Sequence, residues 1–193
     1  KVDDSSAMNV RLIDCVGYIV PSALGYIEGD QPRMVMTPWF EEPIPFNMAA
    51  EIGTRKVINE HSTIGLVITT DGSISDIPRS EYEEAEERVI EELKAINKPF
   101  IILLNCMYPE SPEAQELAQR LTEKYGIPVQ PVNCLELNEE DIKQILSRIL
   151  FEFPIKEICI NFPRWINSLP LDHWLRAELT DTIKKSAANV RHI

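Results

Sequence analysis

The segment Asn9-Val10-Arg11-Leu12-Ile13-Asp14-Cys15-Val16-Gly17 puts a carboxylate at the end of a short apolar run, with a glycine three positions on. In a strand-then-turn, such an acid can hold Mg²⁺ through a water. A glycine there lets its backbone N–H approach a terminal phosphate with no side chain in the way. Asp14 is the candidate metal ligand, and Asp14 with Gly17 the candidate catalytic pair. An Asp-x-x-Gly match is weak alone, since average composition generates it often. Its place after an apolar run strengthens it; the alternative is an ordinary strand-ending turn.

Two further polar residues fall where apolar runs stop, Asn105 after Phe100–Leu104 and Asn133 after Ile127–Val132. In an open α/β sheet ligands bind beyond the carboxyl ends of the strands, so Asp14, Asp71, Asn105 and Asn133 gather where a site belongs. Asn105 sits where GTPases of this architecture carry Asn-Lys-x-Asp, whose final carboxylate reads guanine. Here the segment is Asn105-Cys106-Met107-Tyr108, with neither lysine nor acid. A guanine edge would find no carboxylate, so adenine is the better base, with Asn105 and Asn133 as the cofactor-binding candidates. The alternative reading of Asn105 is a side chain that closes off a strand end.

No Gly-x-x-x-x-Gly-Lys-[Ser/Thr] phosphate loop occurs in the 193 residues, and the chain opens at Lys1. Either the domain is of another kind, or the sequence begins partway through one; the absence of an initial Met fits a trimmed piece.

The elements that would position these residues read as alternating strands and helices. Ile64–Thr70 and Phe100–Asn105 are continuous apolar runs, as expected of strands buried on both faces of a parallel sheet. Phe46–Glu60 reads as a helix with Ala49, Ile52, Val57 and Ile58 on its buried side. Ser80 and Glu83 form a capping box for a helix with the stripe Tyr82, Ala85, Val89, Leu93 and Ile96. Its many glutamates, Glu86 among them, read as a solvated face. Ser111-Pro112 supplies an N-cap and first-turn proline for a helix ended by Gly126. Asn138 caps another, with Ile142, Ile145, Leu146, Ile149 and Leu150 inward. The order β-α-β-α-β-α-β-α predicts a doubly wound, mainly parallel α/β sheet. Tyr18–Pro45 is a long irregular, proline-rich segment that exceeds the usual loop, so it is expected to be functional or partly ordered by a partner. Beyond it all, Ile155–Asn161 is expected as a last strand, Phe162–Trp165 as a turn, and Leu171 onward as an amphipathic helix with Leu175, Leu179, Ile183 and Ala187 on one stripe.

A formal charge of −12 argues against a nucleic-acid binder and against electrostatic docking on anionic lipid. No apolar run is long enough to span a membrane. The four cysteines form no Cys-x-x-Cys pair and the three histidines have no metal-ligand spacing, so buried reduced thiols of a cytosolic protein are expected.

Several phrases closely resemble the stage IV sporulation protein A family. They are Arg11-Leu12-Ile13-Asp14-Cys15-Val16-Gly17-Tyr18, Pro32-Arg33-Met34, Thr37–Phe46, Ala49–Ile58 continuing through Gly65, Val67–Gly72, Glu84–Lys94 and His173-Trp174-Leu175-Arg176. The resemblance runs from about Val10 to Arg176. It implies a P-loop NTPase fold of the translation-factor GTPase type that has switched to ATP and Mg²⁺. It further implies an ATPase of the mother-cell cytoplasm that self-assembles into the basement layer of the spore coat on the forespore surface. Its partners would be its own copies, a small amphipathic membrane-anchoring peptide and other coat morphogenetic proteins. Residues 1–154 would be the ATPase domain truncated at its N-terminus, and residues 155–193 an extension leading to a middle domain. In the family the phosphate loop and the γ-phosphate-sensing threonines lie upstream of Lys1, so this piece alone is expected not to hydrolyse ATP. A non-catalytic α/β scaffold for polymerisation or recruitment is the other reading.

Overall fold

Apolar runs joined by helices form a parallel sheet in the computed structural model, which describes residues 9–153, 155, 157–170 and 172–187. Two compact units are present, Lys1–Ile149 and Leu150–Ile193.

In the first unit, residues 9–20 carry no regular secondary structure. The strand expected to end at Asp14 is therefore absent. Leu12 is 81% exposed, and Val10, Ile13 and Val16 are exposed with it. An apolar run becomes a strand only when another edge satisfies its backbone, and this run is paired with none among the described residues. The segment after it is more ordered than its proline content predicts. Two antiparallel hairpins pair β1 (Ile27–Glu28) with β2 (Gln31–Pro32) and β3 (Met34–Val35) with β4 (Ile44–Pro45).

Helix α1 (Phe46–Lys56) follows and continues through one wider π-type turn at Val57–His61. Its inward line is Ala50, Thr54 and Ile58, four residues apart. Of the positions expected there only Ile58 is fully buried; Ala49, Ile52 and Val57 are half-buried. Strand β5 (Gly65–Thr70) leads through a 3₁₀ turn at Arg79–Glu81 to α2 (Glu83–Ala95). Ser80 makes no cap: Tyr82 occupies the N-cap position without a side-chain bond, because the 3₁₀ turn shifts the helix start. The inward residues of α2 are Glu86, Ile90 and Leu93, whereas Ile96 is exposed.

Strand β6 (Phe100–Asn105) and α3 (Pro112–Tyr125) match the expectation closely. Ser111 Oγ accepts from the Ala114 N–H at 3.2 Å, and Gly126 ends the helix at φ 65°, a left-handed cap. Strand β7 (Val129–Val132) and α4 (Glu139–Phe151) complete the alternation. Asn138 Oδ1 caps α4 by accepting from the N–H groups of Glu140 (2.8 Å) and Asp141 (3.1 Å). Ile145 and Ile149 are the residues α4 buries, while Ile142 is exposed.

The sheet is three-stranded, in the order β5-β6-β7, and all parallel. Ile90 and Leu93 of α2 with Ala118, Leu121 and Tyr125 of α3 pack on Val67, Phe100, Ile102 and Leu104. The cover is uneven on the other face. Ile101 and Leu103 are buried, but their register neighbours on β5, Leu66 and Ile68, are 40% and 57% exposed. β5 is thus an edge strand with one bare face, not a strand enclosed on both.

In the second unit the described residues of Ile155–Asn161 form no strand, with Lys156 outside the described residues. Arg164–Asn167 form the short helix α5 in place of a simple turn. Trp174–Ala187 form α6, where Leu175, Leu179, Ile183 and Ala187 share one half-buried stripe. Leu171, the expected start of that helix, lies outside the described residues.

Candidate functional site

The parallel register sets Thr70, Asn105 and Val132 side by side, so the residues that follow each strand share one edge. Asn105 Oδ1 accepts from the Cys134 N–H at 3.0 Å, tying the end of β6 to the loop after β7. Asn133 donates to the Met107 carbonyl at 3.3 Å and accepts from the Leu135 N–H at 3.1 Å. Ser73 Oγ accepts from the Met107 N–H at 2.9 Å and donates to Asp71 Oδ1 at 2.6 Å. Three loops are thereby laced together. Asn105 is thus bonded to the residue after Asn133, and the Asn105 amide Nδ2 makes no hydrogen bond among the described residues, leaving its donors open.

Asp14 and Gly17 are positioned by other elements. Asp14 is exposed and makes no hydrogen bond or ion pair among the described residues. Gly17 adopts φ 81°, and its N–H donates to Thr54 Oγ1 on α1 at 3.0 Å. The adjoining Tyr18 donates its O–H to Glu92 of α2, and the Arg88 guanidinium lies 4.2 Å from its ring centroid. Arg88 is itself held by a two-pronged bond to Glu51 of α1, at 3.1 and 2.8 Å. Burial, then the bond to Glu92, pushes the Tyr18 phenol up to about 12. The segment after Asp14 is thus docked on the α1–α2 surface; no described contact joins Asp14 to Asn105 or Asn133.

A buried polar cluster lies under the same end of the sheet, unsignalled by the acidic composition of α2. Arg79 donates to Thr69 Oγ1 at 2.9 Å and to Glu86 at 2.7 Å, and Tyr125 Oη donates to Glu86 at 2.7 Å. Burial alone would raise the Glu86 carboxyl, but the bonds from Arg79 and Tyr125 hold it below the usual carboxylate range. Its helical spacing with Ile90 and Leu93 was the available signal that Glu86 faces inward. Arg79 also borders a cavity of about 490 Å³ with Asp71, Glu113, Arg120 and Lys124. Its lining mixes both signs and includes neither Asp14 nor Asn105.

No group of three or more His, Cys, Asp or Glu among the described residues could hold a metal ion by itself. Mg²⁺ needs less, since it keeps waters and is commonly held by one or two carboxylates together with substrate phosphates. Asp14, exposed and without a partner among the described residues, fits that requirement. All four cysteines are free, as expected, but only Cys106 is buried; Cys15 and Cys159 are exposed and Cys134 half-buried. Burial, then the Asp71 charge, raises the Cys106 thiol. None of the described helices is long and apolar enough to cross a membrane.

Residues 1–154 match the ATPase domain of stage IV sporulation protein A, and residues 155–193 match the middle domain. The chain belongs to the stage IV sporulation protein A family. It is 52% identical over 192 residues to the stage IV sporulation protein A of Bacillus subtilis (strain 168). Identity is 50% with that of Bacillus anthracis and 48% with that of Clostridioides difficile (strain 630), each over 193 residues. All of this chain is covered in each comparison, but only 39% of each relative. No solved structure matches the chain.

Proposed function

We propose that this chain is the nucleotide-handling part of an ATPase that assembles into the basement layer of the endospore coat. The observation that carries the reading is the match of residues 1–154 to the family's ATPase domain. It is supported by an exposed carboxylate at Asp14 within that span, without a partner among the described residues. Asp14 would hold Mg²⁺, and Gly17 would turn its N–H to the γ-phosphate. Asn105, with donors still open, and Asn133 beside it would face the adenine. The fold this implies is a doubly wound P-loop NTPase domain over residues 1–154, with residues 155–193 leading into the middle domain. The 193 residues hold no Gly-x-x-x-x-Gly-Lys-[Ser/Thr] loop, so hydrolysis is a property of the longer protein and not of this piece. Its setting is the mother-cell cytoplasm at the forespore surface. Its partners there are further copies of itself, a small amphipathic membrane-anchoring peptide and other coat morphogenetic proteins.

A second reading is a non-catalytic α/β scaffold for polymerisation or recruitment. It is favoured by the Gly17 N–H already being bonded to Thr54. Hydrolysis of ATP and GTP by the full-length protein, with and without Asp14→Asn, separates the two. Mg²⁺-dependent ATP turnover that falls at least about tenfold in the variant is expected, given the metal's share of charge stabilisation. Equal GTP turnover, or indifference to Asp14, counts against the ATPase reading; no turnover of either nucleotide speaks for the scaffold.

A further inference from the structure

Thr54 occupies the buried line of α1, 2% exposed, between Ala50 and Ile58. A threonine inside a helix ordinarily turns its hydroxyl to its own i−4 carbonyl. Here the hydroxyl oxygen accepts from the backbone of Gly17, 37 residues away. The glycine is in the left-handed region, φ 81°, with open space where a side chain would stand, and its N–H is the donor that the ATPase reading assigns to a γ-phosphate. One N–H cannot serve both acceptors at full strength. The next residue is anchored too, with Tyr18 bonded to Glu92 and stacked under Arg88. Asp14, at the other end of the segment, has no described partner. The metal-binding acid is free while the phosphate-sensing amide is held.

We propose that Thr54 is a positioning residue that parks the Gly17 amide on α1 until a γ-phosphate displaces it. This rests on the ATPase reading above. Release costs little at Thr54 itself: it gives up one accepted bond, while its O–H remains able to donate to a carbonyl of its own helix. Because only a triphosphate carries the competing group, the parking contact weakens ATP binding and leaves ADP binding untouched. Apparent affinity falls with the fraction of molecules whose amide is free, so removing the contact tightens ATP alone.

The test is binding of Mg-ATP and Mg-ADP to the full-length protein by titration calorimetry. Thr54→Val keeps the shape and removes the hydroxyl; it is expected to tighten ATP about three- to fivefold, the worth of one net hydrogen bond, with ADP unchanged. Thr54→Ser restores the hydroxyl and the wild-type ratio. Tyr18→Phe, which loosens the neighbouring anchor at a half-buried position, shifts ATP in the same direction and decides the matter if Thr54→Val does not fold. Equal shifts for both nucleotides, no shift, or a serine variant that behaves like the valine overturns the proposal. If Asp14→Asn abolishes turnover while the ATP-to-ADP ratio ignores Thr54 and Tyr18, only the parking role fails. If Asp14→Asn changes nothing, the ATPase reading fails and this role with it.

Discussion

Arg79 Nη2 sits 2.7 Å from Glu86 Oε1, joining the turn after β5 to the inward face of α2. The glutamate is 4% exposed, and a charge buried that deeply persists only with a partner. Glu86→Ala would strand the guanidinium and is expected to cost about 3 kcal/mol or more of unfolding free energy, measured by urea titration.

The same pair sets an acid limit. The Glu86 carboxyl is held below its ordinary value by Arg79 and Tyr125 against the raising effect of burial. A depressed folded-state pKa contributes stability above the unfolded value of about 4.3 and loses it as pH falls through the folded one. Denaturant midpoints are expected to drop below about pH 4 in the wild type. That acid limb is expected to flatten in Glu86→Ala, and an unchanged limb would remove Glu86 from the account.

Tyr18 makes an alkaline counterpart. Its phenol and that of Tyr125 are each pushed up to about 12, by burial first and then by a bonded glutamate. Raised values mean stability is complete below the unfolded value near 10 and lost as pH rises through the folded one. Absorbance titration of the five tyrosines should show two late phenols. Tyr18→Phe removes one of them and leaves the Tyr125 step in place.

The parts of this fold set by local chemistry were legible from the residues. Ser111 and Gly126 bracket α3 because one offers an acceptor and the other a left-handed backbone. Phe100–Leu104 is apolar at every position because both its faces are buried. What depends on distant pairing was not legible. Val10–Ile13 has the composition of a strand but is paired with no edge among the described residues. Leu66 and Ile68 read like core residues and stand bare because the cover over Ile101 and Leu103 does not extend to β5. At the candidate site, the places of Asn105 and Asn133 at the ends of adjacent strands were legible from the apolar runs before them. The Gly17–Thr54 bond spans 37 residues and leaves no mark in either local pattern.

That asymmetry of the sheet yields a paired prediction. Ile102 is 0% exposed at the centre of the cluster, and Ile68 is 57% exposed. Ile102→Ala is expected to cost about 2–5 kcal/mol through lost burial and a residual cavity, and Ile68→Ala less than about 1 kcal/mol. Both are read from urea midpoints of the same 193-residue chain. Comparable losses would mean that β5 is covered in solution.

Asn105 carries two separable duties on one side chain. Its Oδ1 holds the Cys134 N–H at 3.0 Å, while its Nδ2 donors are the ones proposed for adenine. Asn105→Ala deletes both, and leaving a half-buried N–H without an acceptor is expected to cost about 1–3 kcal/mol. Asn105→Asp keeps the acceptor and removes the donors. It should retain the wild-type urea midpoint while raising KM for ATP in the full-length protein about tenfold or more, since a polar site facing a mismatched group discriminates strongly. A similar loss of stability in both variants would show that the oxygen does not tie β6 to the following loop. A normal KM in the aspartate variant would move the base-binding role away from this residue.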